Sequence, residues 1–393
     1  MYGDAVRIPG GGAGDHVMTI ILTSLAAAAM ITCVALVMPA LARPTLPFGV
    51  RVPHERIADP VVLAQRRAYA RTTILAGVAA AALSVALVIG AGRASLAGMT
   101  TAGLGVACLL LYYRAHRQLR HAKRAGGWHE GRRQGVTVDT TFRTDPVRLP
   151  WVWLIPAMAI TLTTTGLGWW RYGALPATLP HFLGLDVDAT QPEPTTPIAA
   201  FQPAIFQAAT ILVFLAMTLV LLRARPDLDA ARPKGSARKY RIYLHGVARM
   251  SLLGAASVTF CLMIAALQLW GLAALSSAWR AAAYLPLAAP VVGALVWEMR
   301  VGHGGHRLPA LPGEEREDSG ITQRDDDDRH WFFAGTVYAN RRDPAIVLHA
   351  RFGQTLTLNL GHPVTWAILA LLAVVVLLAT FGAIDLPQRD SLS

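Results

Sequence analysis

Apolar residues in this chain do not recur every second position, as on a half-buried strand, nor every third and fourth, as on a surface helix. They run in unbroken blocks separated by shorter polar stretches. A helix needs roughly 20 such residues to cross a hydrocarbon core of about 30 Å. Eight blocks approach or exceed that length: 17–41, 72–91, 95–113, 150–170, 203–222, 250–275, 281–298 and 364–384. The second and third are joined by a tight turn at 90–93 and form a helical hairpin. The pattern predicts an all-α integral membrane protein of about eight transmembrane helices. One stretch breaks it: Thr355-Leu356-Thr357-Leu358-Asn359-Leu360 alternates strictly, which predicts a small β-rich insertion before the last helix. The segments are an N-terminal tail (1–16), a three-helix unit (17–149), a four-helix unit (150–298), a linker with the β-element (299–363), and the last helix with its tail (364–393).

Composition agrees. The chain of 393 residues is 54% hydrophobic and 15% charged, whereas soluble domains carry about 25% charged residues. A net charge of +12 raises the question of a polyanionic partner. The distribution of the charge answers it. Loops 42–71, 114–149, 223–249 and 299–363 hold 31 of the 36 Lys/Arg, and these loops alternate with segments that hold one each. Positively charged loops stay in the cytoplasm, so both termini and loop 171–202 are predicted outside, in a multi-pass plasma-membrane protein. Each basic cluster abuts a span, where a Lys or Arg near anionic headgroups gains about 1 kcal/mol. The bilayer, not nucleic acid, is the partner this implies.

Local signals refine the loops. Prolines and a glycine exclude helix from 43–53, whereas Asp59-Pro60 reads as N-cap and first helical residue of a segment running into the second span. Arg114, Arg117, Arg120 and Arg124 extend the third span until Gly126-Gly127 stops it. The first block is longer than the 7–15-residue apolar region of a secretory signal and follows a tail with Asp4 and Asp15, which favours a retained helix. Cys33, Cys108 and Cys261 all lie within spans and indicate no disulfide framework.

Two stretches resemble a known family. Leu175, Pro176, Pro180, His181 and Phe182, followed by Gly184 and Asp186, resemble the Leu-Pro-x-x-Ile-Pro-x-His-Phe signature of the SdpI-like membrane proteins, with one residue fewer between Pro180 and His181. Asp326–Asp328, Trp331, Tyr338, Asn340, Arg351, Gly353 and Asn359 resemble a short cytoplasmic domain that accompanies it in actinobacterial and other Gram-positive proteins. The stretch 46–53 with Asp59-Pro60 is similar to the N-terminal part of that group. The resemblance implies a non-enzymatic protein of immunity, envelope-stress sensing or signalling, with a secreted peptide or a regulatory protein as partner.

Candidate chemistry is sparse. His181, Asp186 and Asp188 share the outer loop with Glu193 and make a ligand site of few donors; a metal site wants three or four ligands at defined spacing. Asp325–Asp328 reads as a solvated acidic run pairing with Arg341 and Arg342. His303-Gly304-Gly305-His306 reads as linker. Pro286 and Pro290 interrupt the seventh span, and Glu298 is the one carboxylate placed inside a span, a pattern found at transport sites. Its place at the cytoplasmic end, beside Arg300, argues for snorkelling instead. Gln268 and Thr161, Thr163, Thr164 and Thr165 are predicted to bond between helices. No Gly-x-Ser-x-Gly, His-Glu-x-x-His or Walker-type loop occurs, and neither cofactor nor metal is expected. The alternative function is a secondary transporter or channel built on the seventh span and Glu298.

Overall fold

A computed structural model describes residues 13–90, 94–135, 139, 141–185, 187–224, 226–323, 325–351 and 356–380. Asp186, Gly353, most of the N-terminal tail and the end of the eighth block lie outside the described residues. The chain forms two compact units. One comprises Met1–Gly135, Gly320–Ala339 and Ala350–Thr355; the other comprises Val136–Ser319, Asn340–His349 and Leu356–Ser393.

The first unit packs α1 (Ala13–Leu41), α2 (Pro60–Ile89) and α3 (Ala94–Ala125) against one another. Asp59 caps α2 as predicted: its carboxylate accepts the Val61 N–H at 3.0 Å, and Pro60 opens the helix. At 1.5 Å per residue, α2 is about 45 Å long, so its basic first turns and the second span are one rod. The cationic rungs of α3 continue to Ala125, and Gly127, at φ +56°, ends it. Short parallel strands β1 (Gln134–Gly135) and β4 (Thr322–Gln323) pair beside it.

The second unit contains α4 (Thr141–Thr144), α5 (Ile155–Tyr172), α6 (Pro197–Arg223) and α7 (Pro233–Leu269), then α8 (Ser277–Tyr284), α9 (Ala288–Val301) and α10 (Pro363–Thr380). Its axis is α7, which packs against α5, α6 and α9. Buried glycines and alanines let neighbours approach closely. A Cβ on Gly246 would lie 2.0 Å from the Trp297 ring, and one on Gly254 would lie 3.0 Å from Phe214. The start of α7 was predicted too late, because its cap comes from far along the chain. Glu317 accepts the N–H groups of Lys234 and Gly235 at 2.8 and 2.9 Å, where the helix dipole favours a carboxylate. Glu314 takes a two-pronged bond from Arg238 at 2.7 and 2.9 Å, which pulls its carboxyl down to about 2. The part of the predicted linker from Pro309 to Glu317 is therefore docked onto α7.

Six described segments are long and apolar enough to cross a membrane: Ile20–Leu41, Pro60–Ile89, Trp151–Tyr172, Pro197–Arg223, Pro233–Leu269 and Leu285–Gly305. Large apolar side chains such as Leu75, Val78, Leu162 and Leu212 point outward from them, as a lipid-facing surface requires. The fold is thus that of a mostly helical, polytopic membrane protein. Six of the eight predicted spans meet the criterion; the third and eighth blocks are helical, in α3 and α10, without being among the six.

The seventh span is interrupted at Pro286 as predicted, by a 3-10 turn at Leu285–Leu287, but its bounds differ: the apolar segment runs from Leu285 to Gly305, not from 281 to 298. Pro290 is the third residue of α9, where its missing N–H has no intrahelical acceptor to lose. The β-insertion also divides. Strands β5 (Trp331–Phe332) and β6 (Val337–Tyr338) pair within the first unit, while β7 (Val347–His349) and β8 (Leu356–Leu358) pair within the second.

Candidate functional site

Pro180, His181 and Phe182 lie in an antiparallel hairpin, β2 (Thr178–Phe182) with β3 (Val187–Pro194). The ladder is irregular between Leu179 and His181, at Pro180, which has no N–H to donate. Its base is closed by Thr195, whose N–H donates to Ala177 O at 3.0 Å and whose hydroxyl donates to Pro176 O at 2.6 Å. Leu179 and Phe182 are each 1% exposed and join Leu262, Ala266, Leu269 and Trp270 of the second unit in one core, with Leu175 packed at its margin. Phe182 stands edge-on to Phe206 at 5.5 Å, so it is an anchor rather than a ligand contact. Trp270 locks the arrangement: its indole N–H donates to Ala200 O at 3.0 Å while its ring lies against Gly168.

The hairpin leaves His181, Asp188 and Glu193 partly exposed. His181 Nδ1 lies 3.6 Å from Glu193 Oε2, and both side chains are 30% exposed. Asp188 is already engaged. Its Oδ1 accepts the Thr190 hydroxyl at 2.7 Å and the Thr190 N–H at 2.8 Å, which hold its carboxyl below the usual range. Among the described residues no three His, Cys, Asp or Glu side chains converge as a metal would require.

Polar groups within the helices sort differently from expectation. Thr161, Thr163 and Thr165 return their hydroxyls to their own helix, and Gln268 donates to Ala274 O at 3.2 Å just beyond the end of α7. Thr164 does bond between helices, as predicted, but its partner is Gln207, which the sequence reading passed over; Thr218 and Ser251 likewise link α6 to α7 at 2.8 Å. The Gln207 amide donates to Thr164 Oγ1 at 3.0 Å and to Thr259 O at 2.8 Å, tying α6 to α5 and α7. Glu298 does not snorkel: it is 1% exposed on α9.

The second resemblance resolves into two buried clusters, one in each unit. In the first unit, Asp328 bridges Lys123 and Arg351, with those three side chains 13%, 4% and 3% exposed. Asp328, the last acid of the run, therefore meets Lys123 of α3 rather than Arg341 or Arg342, while the side chains of 325–327 lie outside the described residues. Burial works against the ionised form of Asp328, but the flanking Arg351 and Lys123 charges outweigh it and hold the carboxyl well below its ordinary range. Arg351 also lies 4.9 Å over the Trp331 ring, which packs on Tyr338 at 4.9 Å.

Around this triad two loops interlock. Gly49, at φ +73°, lies so close to Ala334 that a Cβ would sit 2.3 Å from its carbonyl oxygen. Among the described residues the non-glycine positions with positive φ are Phe48, Phe333 and Ala334, all in these two loops. Such backbone costs about 1–3 kcal/mol per residue and persists only where packing imposes it. Here His116 imposes it: its Nδ1–H donates to Phe48 O at 2.8 Å, while Phe48 packs edge-on to Tyr69 and Tyr112.

In the second unit Asn359 is fully buried. Its amide donates toward the carbonyls of Asn340, Asp343 and Ala345 at 2.9–3.1 Å, and its oxygen accepts the N–H groups of Asn340 and Gly361. Nearby, His303 and His349 lie in a buried aromatic cluster with Tyr240 and Tyr243. The sequence marked His303 only as linker. For Lys123 a signal did exist, since the chain has three lysines and this one stands in an arginine-rich helix end. No protein-family model, curated protein or solved structure matches the chain.

Proposed function

We propose that this is an eight-span, non-enzymatic plasma-membrane protein of the SdpI-like kind, serving immunity to a secreted peptide, envelope-stress sensing or signalling. The observation that carries the reading is the hairpin. Phe182 of the resembling stretch, with Leu179 beside it, anchors the hairpin onto α6 and α7, and the hairpin leaves His181, Asp188 and Glu193 partly exposed. A peptide or regulatory protein touching that rim would press on a lid continuous with the helix core. Orientation is supported by the basic loops. Segments of 42–71, 114–149 and 299–363 meet in the first unit, and segments of 114–149, 223–249 and 299–363 meet in the second. Loops that touch one another lie on one side of a bilayer. α3 and α10 supply the two further spans, both termini are outside, and the basic loops face anionic headgroups.

The test is a strain lacking the gene, challenged with secreted peptide toxins and cell-envelope stress. Heightened sensitivity, restored by the wild-type gene and not by His181→Ala/Glu193→Ala, supports the reading. Unchanged sensitivity of the deletion strain counts against it. A second reading, a secondary transporter or channel, is favoured by one observation: the broken seventh span leads into α9, where Glu298 is buried. Glu298→Gln abolishing ion-coupled flux in proteoliposomes would support it, and unaltered flux would remove it.

A further inference from the structure

On the first unit, the end of α3 and the loop after it enclose a recess of about 640 Å³. Its lining holds five Lys/Arg side chains and two carboxylates. Part of that charge is spent internally, since Lys123 is bound to Asp328 and Arg132 pairs with Glu55. Arg120 and Arg124 form no ion pair among the described residues. They stand one turn apart on α3, so their guanidinium groups repel each other across a concave surface, with Trp128 in the wall. Arginine forks match the oxygens of a phosphate group, and its charge would relieve that repulsion. The volume lies within the range of small-ligand sites, about 300–1,000 Å³.

We propose that this recess binds a phosphate group, carried either by a soluble molecule or by a lipid headgroup that projects beyond the bilayer surface. The position along α3 selects these carriers. The third apolar block ends at Tyr113, so Arg120 and Arg124 lie about 10 and 16 Å further along the helix. The headgroup layer is only about 5–8 Å deep on each side, so the backbone of both arginines lies beyond it, where a soluble phosphate or a projecting headgroup phosphate is met without the side chains turning back toward the bilayer. The cations of α3 nearer the membrane, Arg114 and Arg117, line a separate recess with Leu110 and Tyr113. The proposal does not depend on the role given to the outer hairpin.

The experiment uses the full chain in nanodiscs, with binding followed by calorimetry and by Trp fluorescence. Pyrophosphate is titrated into discs of phosphatidylcholine, and discs containing a phosphorylated phosphatidylinositol are compared with them. Saturable binding of pyrophosphate assigns a soluble ligand; saturable binding of the phosphoinositide alone assigns the projecting headgroup. In either case Arg120→Gln and Arg124→Gln weaken binding at least about tenfold each, while Arg114→Gln leaves it unchanged. If a glutamine variant does not fold, Arg120→Lys and Arg124→Lys, which keep the charge and lose the fork, weaken binding less but measurably. Absence of saturable binding for both probes, or binding indifferent to both arginines, overturns the proposal.

Discussion

Removing the charge of Asp328 should be among the most damaging single changes available in the first unit. Asp328→Asn keeps the shape of the side chain but leaves Lys123 and Arg351, 4% and 3% exposed, facing each other without a counter-charge. Breaking a buried pair by removing one partner costs about 3–5 kcal/mol, mostly the penalty of the stranded charge. Lys123→Met is different, because it leaves Asp328 and Arg351 as a closed pair and loses one charged hydrogen bond, about 1.5–3 kcal/mol. The double variant Asp328→Asn/Lys123→Met, with one buried charge instead of two, should therefore be more stable than Asp328→Asn alone. Thermal unfolding in nanodiscs, followed by Trp fluorescence, reads the ordering, with Trp331 beneath Arg351 as a reporter. For a unit of this size each kcal/mol moves the midpoint by about 2–4 °C, so Asp328→Asn should lower it by about 6–20 °C. A midpoint unchanged in Asp328→Asn, or a double variant less stable than Asp328→Asn alone, would refute the reasoning. The pH dependence has a fixed sign. Because the folded carboxyl titrates below its unfolded value near 3.9, its contribution is present above that value and is lost as the pH falls through the lower, folded one.

Three further outcomes follow from individual contacts. His116 is pushed below its ordinary value first by burial and further by the Arg120 and Arg351 charges, against the opposing pull of Phe48 O and Asp328. Its contribution is complete above the unfolded value of about 6.5 and declines as the pH falls through the folded one; midpoint-against-pH curves should be flatter in His116→Gln than in the wild type over that window. Gly246→Ala places a methyl group 2.0 Å from the Trp297 ring and should cost about 1–3 kcal/mol by unfolding, with partial recovery in Gly246→Ala/Trp297→Leu. Phe182→Ala should cost about 3–5 kcal/mol by the same measurement, whereas His181→Ala, 30% exposed beside Glu193, should cost less than about 1 kcal/mol.

The helices were legible because unbroken apolar blocks need no partner to be recognised, and the Asp59-Pro60 start of α2 and Gly126-Gly127 stop of α3 are local signals. The start of α7 was not legible, because its cap is Glu317, more than 80 residues away. The same limit hid the partners of Asp328: spacing favours the neighbours Arg341 and Arg342, but the fold brings in Lys123 from 205 residues away. Burial is equally illegible for a single residue of the resembling stretch. Phe182 was read as a ligand contact because periodicity within a five-residue strand cannot say which face meets a helix core. Gln207 escaped notice because a single amide within an apolar block looks tolerated until its acceptors on two other helices are known.

Sidedness decides whether the outer hairpin can meet a secreted ligand and whether the arginine recess faces the cytoplasm. Ala189→Cys, on the exposed strand β3, and Glu315→Cys, in the segment docked at the start of α7, place single accessible thiols on the two predicted sides. The native Cys33, Cys108 and Cys261 lie within helices α1, α3 and α7. With a membrane-impermeant maleimide, Ala189→Cys should label in intact cells and Glu315→Cys only after permeabilisation. Labelling of both from the same side, or the reverse pattern, would contradict the assigned orientation and the function built on it.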